Sequence, residues 1–517
     1  MQDLIAGFGS AFTPNVMLFI LFGIVLGYVI GVLPGLNRPV ALAVAIPMSY
    51  YMDPLAAIAF LIGIAKASGT GGATTAILLN TPGELNAAVT CFDGYPLALA
   101  GRAKKALEVA LYSSVTGDIL GTIALIFLAG PLALVALRIG PVEMASILLL
   151  SLGFIAALAG SSLMRGLAAG MLGLFLSTVG LDIETATPRL TFGYVELLDG
   201  IPLLAITIGM LGLTEMFIQA EQLHGGLKRT GVGDEQEELR RNIDAATEDG
   251  LSGQELRQVT PTIVRSSLIG TAIGMLPGLG PSVASFASYA VAERLAKPGD
   301  CFRRGDIKGV AAAETADNAA VPASLIPLFA LGLPGSVSAA ILLAAFMIHG
   351  MTPGPRIFQE HGQFMYAVYA SMLIASLIML VVGRIGLVAF AKLTRVPETI
   401  VIPVVMMLCI LGTYLESHSI FAVGLMLGFA ILGYVMEKLG YSRITFLIGF
   451  IIGSLLEAAV RQALVITGGD VTQLIHYPLA LILLGAGCVV GVVLLRSRRP
   501  PAHAIDIQEP VSGPRSK

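Results

Sequence analysis

The sequence predicts an all-α polytopic membrane protein made of two inverted-topology repeats with re-entrant hairpins and broken helices. Three observations predict it. Of the 517 residues, 56% are hydrophobic and only 13% charged, against about 25% charged in a soluble domain; the mean hydropathy is +0.84. Apolar runs recur from residue 16 to residue 495, many of them near the ~20 residues that span a bilayer. Finally, short motifs repeat in the same order on both sides of a polar interruption.

That interruption runs from Glu221 to Thr260 and holds five Lys/Arg and nine Asp/Glu. On either side, "GVLPGLNRPVA" (31–41) matches "GMLPGLGPSVA" (274–284), and "LLNTPG" (78–83) answers "LGLPGS" (331–336). "GPVEM" (140–144) answers "RVPETI" (395–400), and "PRLTF" (188–192) answers "SRITF" (442–446). Four matches in order indicate an internal duplication, an architecture typical of secondary transporters. The expected organisation is a first repeat over 1–220, a cytoplasmic polar linker over 221–260 and a second repeat over 261–460. A final transmembrane helix over 461–496 and a basic cytoplasmic tail over 497–517 complete it.

Charge placement sets the orientation. With the linker inside, the cytoplasmic loops take Arg102, Lys104, Lys105, Arg165, Lys297, Arg303, Arg304, Lys308, Arg384, Lys392, Arg395, Lys438, Arg443 and the tail arginines. The outer loops keep Arg138, Arg189, Arg356 and Arg461. Equivalent loops then lie on opposite sides, so the repeats are inverted, with the N-terminus outside and the C-terminus inside. The first residues, "MQDLIAGFGSAFTPN", lack the basic stretch of a signal peptide, so the first apolar run is read as retained.

The arms 261–276 and 281–295 are about 15 residues each, or about 23 Å as helix. That is short of a ~30 Å core, so a re-entrant hairpin with "PGLGP" at its tip fits best, and 16–52 is its counterpart. Residues 106–129, 143–160, 364–383 and 398–416 are the expected scaffold. Gly 60 and Pro 27 are high counts for intact spans and fit close helix contacts and breaks. The four cysteines show no C-x-x-C pair, so no disulfide framework is expected. No basic nucleic-acid footprint is present.

Candidate site residues cluster at the breaks. In hydrocarbon, backbone groups freed by Pro and Gly need other partners. Half-helix N-termini attract anions, and free carbonyls ligate cations. The first hairpin tip offers Pro34, Gly35, Leu36, Asn37 and Arg38; the first break offers Asn80, Thr81, Pro82 and Gly83. Their counterparts are Gly278, Gly280 and Ser282, then Gly332, Pro334, Gly335 and Ser336. Glu314, Asp317 and Asn318 add carboxylates and an amide, and Na+ could sit at Asn80, Thr81 and Asn318. Arg38 and Lys66 are charges at membrane depth, which need a reason. Pairing with an anionic ligand is one; the rivals are an internal ion pair, with Asp53 or Glu84 as candidates, and snorkelling to water. No H-E-x-x-H or P-loop appears, and no nucleophile–base pair is evident. No catalytic residue, structural metal or organic cofactor is expected.

These residues resemble the large membrane subunit of the tripartite tricarboxylate transporters, the TctA family, over roughly 15–460. The matching stretches are "GVLPGL", "ILLNTPG", "DGYPLALAGRA" (93–103), "GMLPGLGPSVASFASYA" (274–290), "GVAAAETADNAA" (309–320), "IPLFALGLPGS" (326–336) and "HGMTPGP" (349–355). The resemblance implies a secondary importer of small di- and tricarboxylates, coupled to Na+ or H+, in the bacterial inner membrane. It implies two partners, a small membrane subunit and a periplasmic solute-binding protein. Alternating access of elevator type, with a homodimer through the scaffold, is the expected mechanism. A passive anion channel and an intramembrane enzyme are the rivals. The chain departs from the family pattern at Asn37 and Arg38 (small residues), Lys66 (an aromatic) and Asp317 (an Asn).

Overall fold

A computed structural model describes residues 2–33, 36–82, 84, 86–158, 163–182, 184–224, 250–393, 396 and 398–485. The site residues Pro34, Gly35 and Gly83, most of the linker and the tail lie outside the described residues.

The first half contains α1 (Gln2–Ala11), α2 (Pro14–Gly31), α3 (Arg38–Ser49), α4 (Pro54–Leu79), α5 (Ala87–Leu99), α6 (Ala103–Ala136), α7 (Pro141–Leu158) and α8 (Leu163–Leu176). A two-residue antiparallel pair follows, β1 (Gly180–Leu181) with β2 (Pro188–Arg189). Then α9 (Leu203–Thr207), a π turn (Ile208–Leu213) and α10 (Thr214–His224) form one continuous span. The second half contains α11 (Gly253–Gly274), α12 (Gly280–Arg294), α13 (Ile307–Ala323), α14 (Leu325–Leu331), α15 (Val337–Ile348) and α16 (Ile357–Glu360). It ends with α17 (Gly362–Leu393), α18 (Glu398–Ser417), α19 (Ile420–Lys438) and α20 (Arg443–Ile466). Eight described helices are long and apolar enough to cross a membrane. The chain is an all-α polytopic membrane protein.

Three of the expected domain boundaries lie within helices. Residue 220 falls inside α10, 260 inside α11 and 460 inside α20. The α11 start has a local cause: Ser252 caps the Glu255 N–H and the Glu255 carboxylate returns to the Ser252 N–H at 2.9 Å, a capping box. Pro261 is carried inside the helix rather than opening it. After α20, residues 461–466 are its last turn, followed by a short 3-10 turn (Val471–His476) and a helical stretch over 478–485. The repeated motif also diverges: "PRLTF" forms β2 and the irregular chain after it, while "SRITF" opens α20.

Glycines spaced by four set the packing, because hydrocarbon supplies no hydrophobic drive between helices. Gly23, Gly27 and Gly31 of α2 lie on the backbone of α4; a methyl at Gly27 would sit 2.8 Å from the Ile64 carbonyl oxygen. The second half repeats the device: Gly270 and Gly274 of α11 lie on Ala316 and Ala320 of α13, with 2.6 Å for the Gly274 methyl. Gly117 and Gly121 of α6 press on Thr315 and Ala319 of α13.

The two long helices cross over. α6 packs along α13 of the other half, and α17 packs along α4. Residues 106–129 and 364–383, expected in the scaffold, pack with the α4–α13 body. The other body holds α7, α8, α20, α19, α18 and the π-bearing span. The two bodies meet where α3 and α15 touch α9, the π turn, α18 and α20.

Candidate functional site

Arg38 sits at the first turn of α3. Asn37 ends the preceding extended chain, and its carboxamide oxygen accepts the Val40 N–H at 2.9 Å. Asn37 is therefore a helix cap. Its cap points the α3 N-terminus, and Arg38 with it, into the protein. Arg38 is 1% exposed. Its Nη2 donates to Asp317 Oδ2 at 3.0 Å, and its backbone N–H donates to Glu84 Oε1. The guanidinium lies against Gly69 of α4, where a methyl would be 2.7 Å from Cζ and overlap Nη2. The tip of the first hairpin, the loop of the first break and helix α13 thus converge on one residue.

Helix α13 contributes the other acids. Glu314 accepts from the Thr90 hydroxyl at 2.5 Å and the Ser114 hydroxyl at 3.0 Å. Asn318 donates its amide to the Glu314 carbonyl oxygen at 2.9 Å. Glu314, Asp317 and Asn318 are all buried. The site holds one guanidinium and the three carboxylates Glu84, Glu314 and Asp317, and Asp317 Oδ1, Arg38 Nε, Thr81 Oγ1 and Thr315 Oγ1 are buried with no partner. Among the described residues no three His, Cys, Asp or Glu side chains share one metal position, so the acids are spread along the site.

The breaks match each other. α4 ends at Asn80 with φ 53°, and α14 ends at Gly332 with φ 76°. Asn tolerates this left-handed conformation better than other side chains with a Cβ. In the second half the Gly278 N–H donates to the Gly335 carbonyl at 3.1 Å, and the Gly335 N–H to that of Ser324 at 3.2 Å. Ser336 caps α15 through the Ala339 N–H and shares a 2.9 Å hydrogen bond with Ser324. The hairpin tip and the broken helix are therefore tied in both halves. Pro334 is buried beside them, Gly280 opens α12 with φ 65°, and Ser282 is half-buried in its first turn. Leu36 belongs to the apolar core.

Lys66 is not part of this cluster. It pairs with Asp118 of α6, and its remaining donors reach Ser376 at 3.1 Å and Thr122 at 3.4 Å. Ser376 also donates to Asp118 at 2.5 Å. All three Lys66 protons have acceptors in the structure, and the acid it pairs with is Asp118 rather than Asp53 or Glu84. Sequence reasoning passed over Asp118, whose partner lies on another helix. It also passed over Asp93, which accepts from Tyr289 Oη at 2.8 Å and from the N–H groups of Gly305 at 3.0 Å and Asp306 at 2.9 Å. The signal for both was a lone acid within an apolar or small-residue helix.

Fold and site define a many-helix membrane protein with a buried polar centre between broken helices. The chain belongs to the Tripartite tricarboxylate transporter TctA family, whose model matches residues 17–448. It is 34% identical, over 98% of its length and all of the relative's, to an uncharacterized 52.8 kDa protein in the TAR-I ttuC' 3'region of Agrobacterium vitis. It is 36% identical, over 46% of its length, to the whole of an uncharacterized protein in the TAR-II ttuC' 3'region of the same organism. No solved structure matches. Membership places the chain among the membrane subunits of tripartite transporters. Arg38 and Asp317 are partners of one another.

Proposed function

We propose that this chain is the large membrane subunit of a three-component importer of small di- or tricarboxylates, driven by a Na+ or H+ gradient. The observation that carries the reading is the buried Arg38 centre, where a hairpin tip and a broken helix meet a carboxylate-bearing helix of the other half. A guanidinium is suited to a substrate carboxylate, and the excess of carboxylates is suited to a cation. The coupling ion is the only cofactor in this reading, and Thr81 with its free hydroxyl is the side chain of the first break nearest to that role.

The two bodies support an elevator motion, because they meet mainly through α3 and α15. Orientation follows from charge: Arg189 and Arg461, both assigned outside, share Asp182 and Glu457 in one cluster at 2.6–3.3 Å. The chain would sit in the bacterial inner membrane with its N-terminus periplasmic and its C-terminus cytoplasmic. A small membrane subunit and a periplasmic binding protein are its partners, and a homodimer would form through the α7–α10 and α18–α20 body.

Reconstitution of the three components in liposomes tests this. Labelled succinate, malate or citrate should accumulate under an imposed Na+ or pH gradient and leak out when the gradient is collapsed. Gradient-independent equilibration would instead identify a channel, and no flux of any carboxylate would refute the reading.

A further inference from the structure

The Arg38–Asp317 pair uses less than either side chain can give. A guanidinium matched to a carboxylate forms two parallel hydrogen bonds. Here a single bond joins Nη2 to Oδ2 at 3.0 Å, while Nε and Oδ1 are buried without partners. The other acids of the site are differently held. Both Glu314 oxygens accept hydroxyls, and Glu84 holds a backbone N–H of Arg38 rather than its guanidinium. Lys66 is committed to Asp118. Among the described residues Asp317 is thus the one carboxylate that holds the guanidinium, and it holds it by one oxygen.

We propose that Asp317 is the counter-ion of Arg38 in the substrate-free chain, that a substrate carboxylate displaces it from the guanidinium, and that the freed Asp317 then takes one coupling cation, Na+ or a proton. The inference rests on the importer reading. In the exchange, Asp317 Oδ2 leaves Nη2, the incoming carboxylate accepts from Nη2 and Nε, and Asp317 gains either a Na+ contact or an O–H bond to a proton drawn from the open side. A buried charge stripped of its partner is costly, so neither substrate nor cation binds well alone. The empty chain carries a neutral pair and returns without ions. Coupling then follows from a single swap of partners.

The test uses Asp317→Asn and the double variant Arg38→Gln/Asp317→Asn in the complete three-component system, with labelled succinate, malate and citrate as probes. Uptake and exchange are measured with Na+ replaced by choline and across pH. In the wild type, apparent affinity should rise at least about tenfold with the coupling cation. In Asp317→Asn that dependence should flatten to within about twofold, with cation-free affinity raised about tenfold. Net uptake should slow more than exchange, because the empty carrier would return with Arg38 unpaired. The double variant removes both partners of the pair, so it also serves if Asp317→Asn fails to fold; its residual carboxylate uptake should be ion-independent. Wild-type ion dependence in either variant overturns the proposal and leaves the importer reading standing. Failure of the wild type to accumulate any carboxylate overturns the importer reading itself.

Discussion

Lys66→Met separates a structural charge from a ligand-binding one. Lys66 and Asp118 are 3% and 1% exposed and hydrogen-bond each other across α4 and α6. Removing one partner of a buried ion pair costs ~3–5 kcal/mol, while replacing both by neutral groups is often close to neutral. Asp118 keeps the Ser376 hydroxyl at 2.5 Å, which favours the lower end, about 3 kcal/mol. Asp118→Asn, which strands Lys66 in the same way, should cost a similar ~3 kcal/mol, while Lys66→Met/Asp118→Asn should lie within about 1 kcal/mol of wild type, leaving a coupling energy of roughly 5 kcal/mol in the double-mutant cycle. Equilibrium unfolding of the purified chain in mixed micelles measures all three variants. A single variant as stable as wild type, or a double variant as unstable as the single, would refute the pairing. A stable Lys66→Met that lost only multiply charged substrates would return Lys66 to the ligand.

Three further outcomes follow from local geometry. Asn80→Gly should keep stability and transport, whereas Asn80→Ala must hold φ 53° at a cost of ~1–2 kcal/mol; equal loss in both would mean that the amide, not the backbone, is what the break needs. In Gly309→Ala the new methyl would overlap Asp93 Oδ2 and lie 3.0 Å from the Tyr289 ring. Disturbing three hydrogen bonds to that carboxylate should cost about 2–4 kcal/mol and speed amide exchange at Gly305 and Asp306, which unchanged exchange would contradict. Backbone N–H groups led by that of Thr185, then Arg461, hold the Asp182 carboxyl well below its usual range. Its stabilisation is therefore full above the ordinary carboxylate pKa of ~3.9 and lost as pH falls through the lower folded-state value. Acid melting curves should show this loss, and Asp182→Asn should remove that part of the slope.

Much of the fold was legible because it depends on local chemistry. Length and apolarity give the spans, and the Pro-Gly pairs mark the ends of α4 and α14. Gly23, Gly27 and Gly31 announce a close helix contact without naming the partner. The α11 start was also legible, since Ser252-x-x-Glu255 is a capping-box pattern, but Pro261 drew the boundary instead. The ion pairs were not legible. A buried lysine requires an acid, yet Asp53 and Glu84 are nearer in sequence than Asp118, and only the crossing of α4 with α6 selects the last. Asp93 is similar: its donors lie 196 to 213 residues away, and no helical period encodes such a separation. Arg38 announced itself as a charge needing a reason, while its orientation depends on the Asn37 cap and on the space left at Gly69.

The duplication explains why these contacts lie where they do. Lys66 precedes the left-handed Asn80 by the same 14 positions by which Asn318 precedes Gly332, so the two halves carry a lysine and an amide at equivalent points. The first half supplies the buried cations Arg38 and Lys66, while the second supplies Glu314 and Asp317 on α13. Most of the polar contacts then cross between halves: Arg38 to Asp317, Thr90 and Ser114 to Glu314, Lys66 to Ser376, and Tyr289 to Asp93. Separated halves would each bury charges and hydroxyls without partners, at a cost of several kcal/mol. Glycine-lined contacts such as α6 on α13 bring the halves close enough to avoid that. Two copies of one motif have therefore become complementary rather than redundant, and the same crossing that stabilises the fold puts a cationic residue of one copy against an anionic residue of the other at the centre of the site.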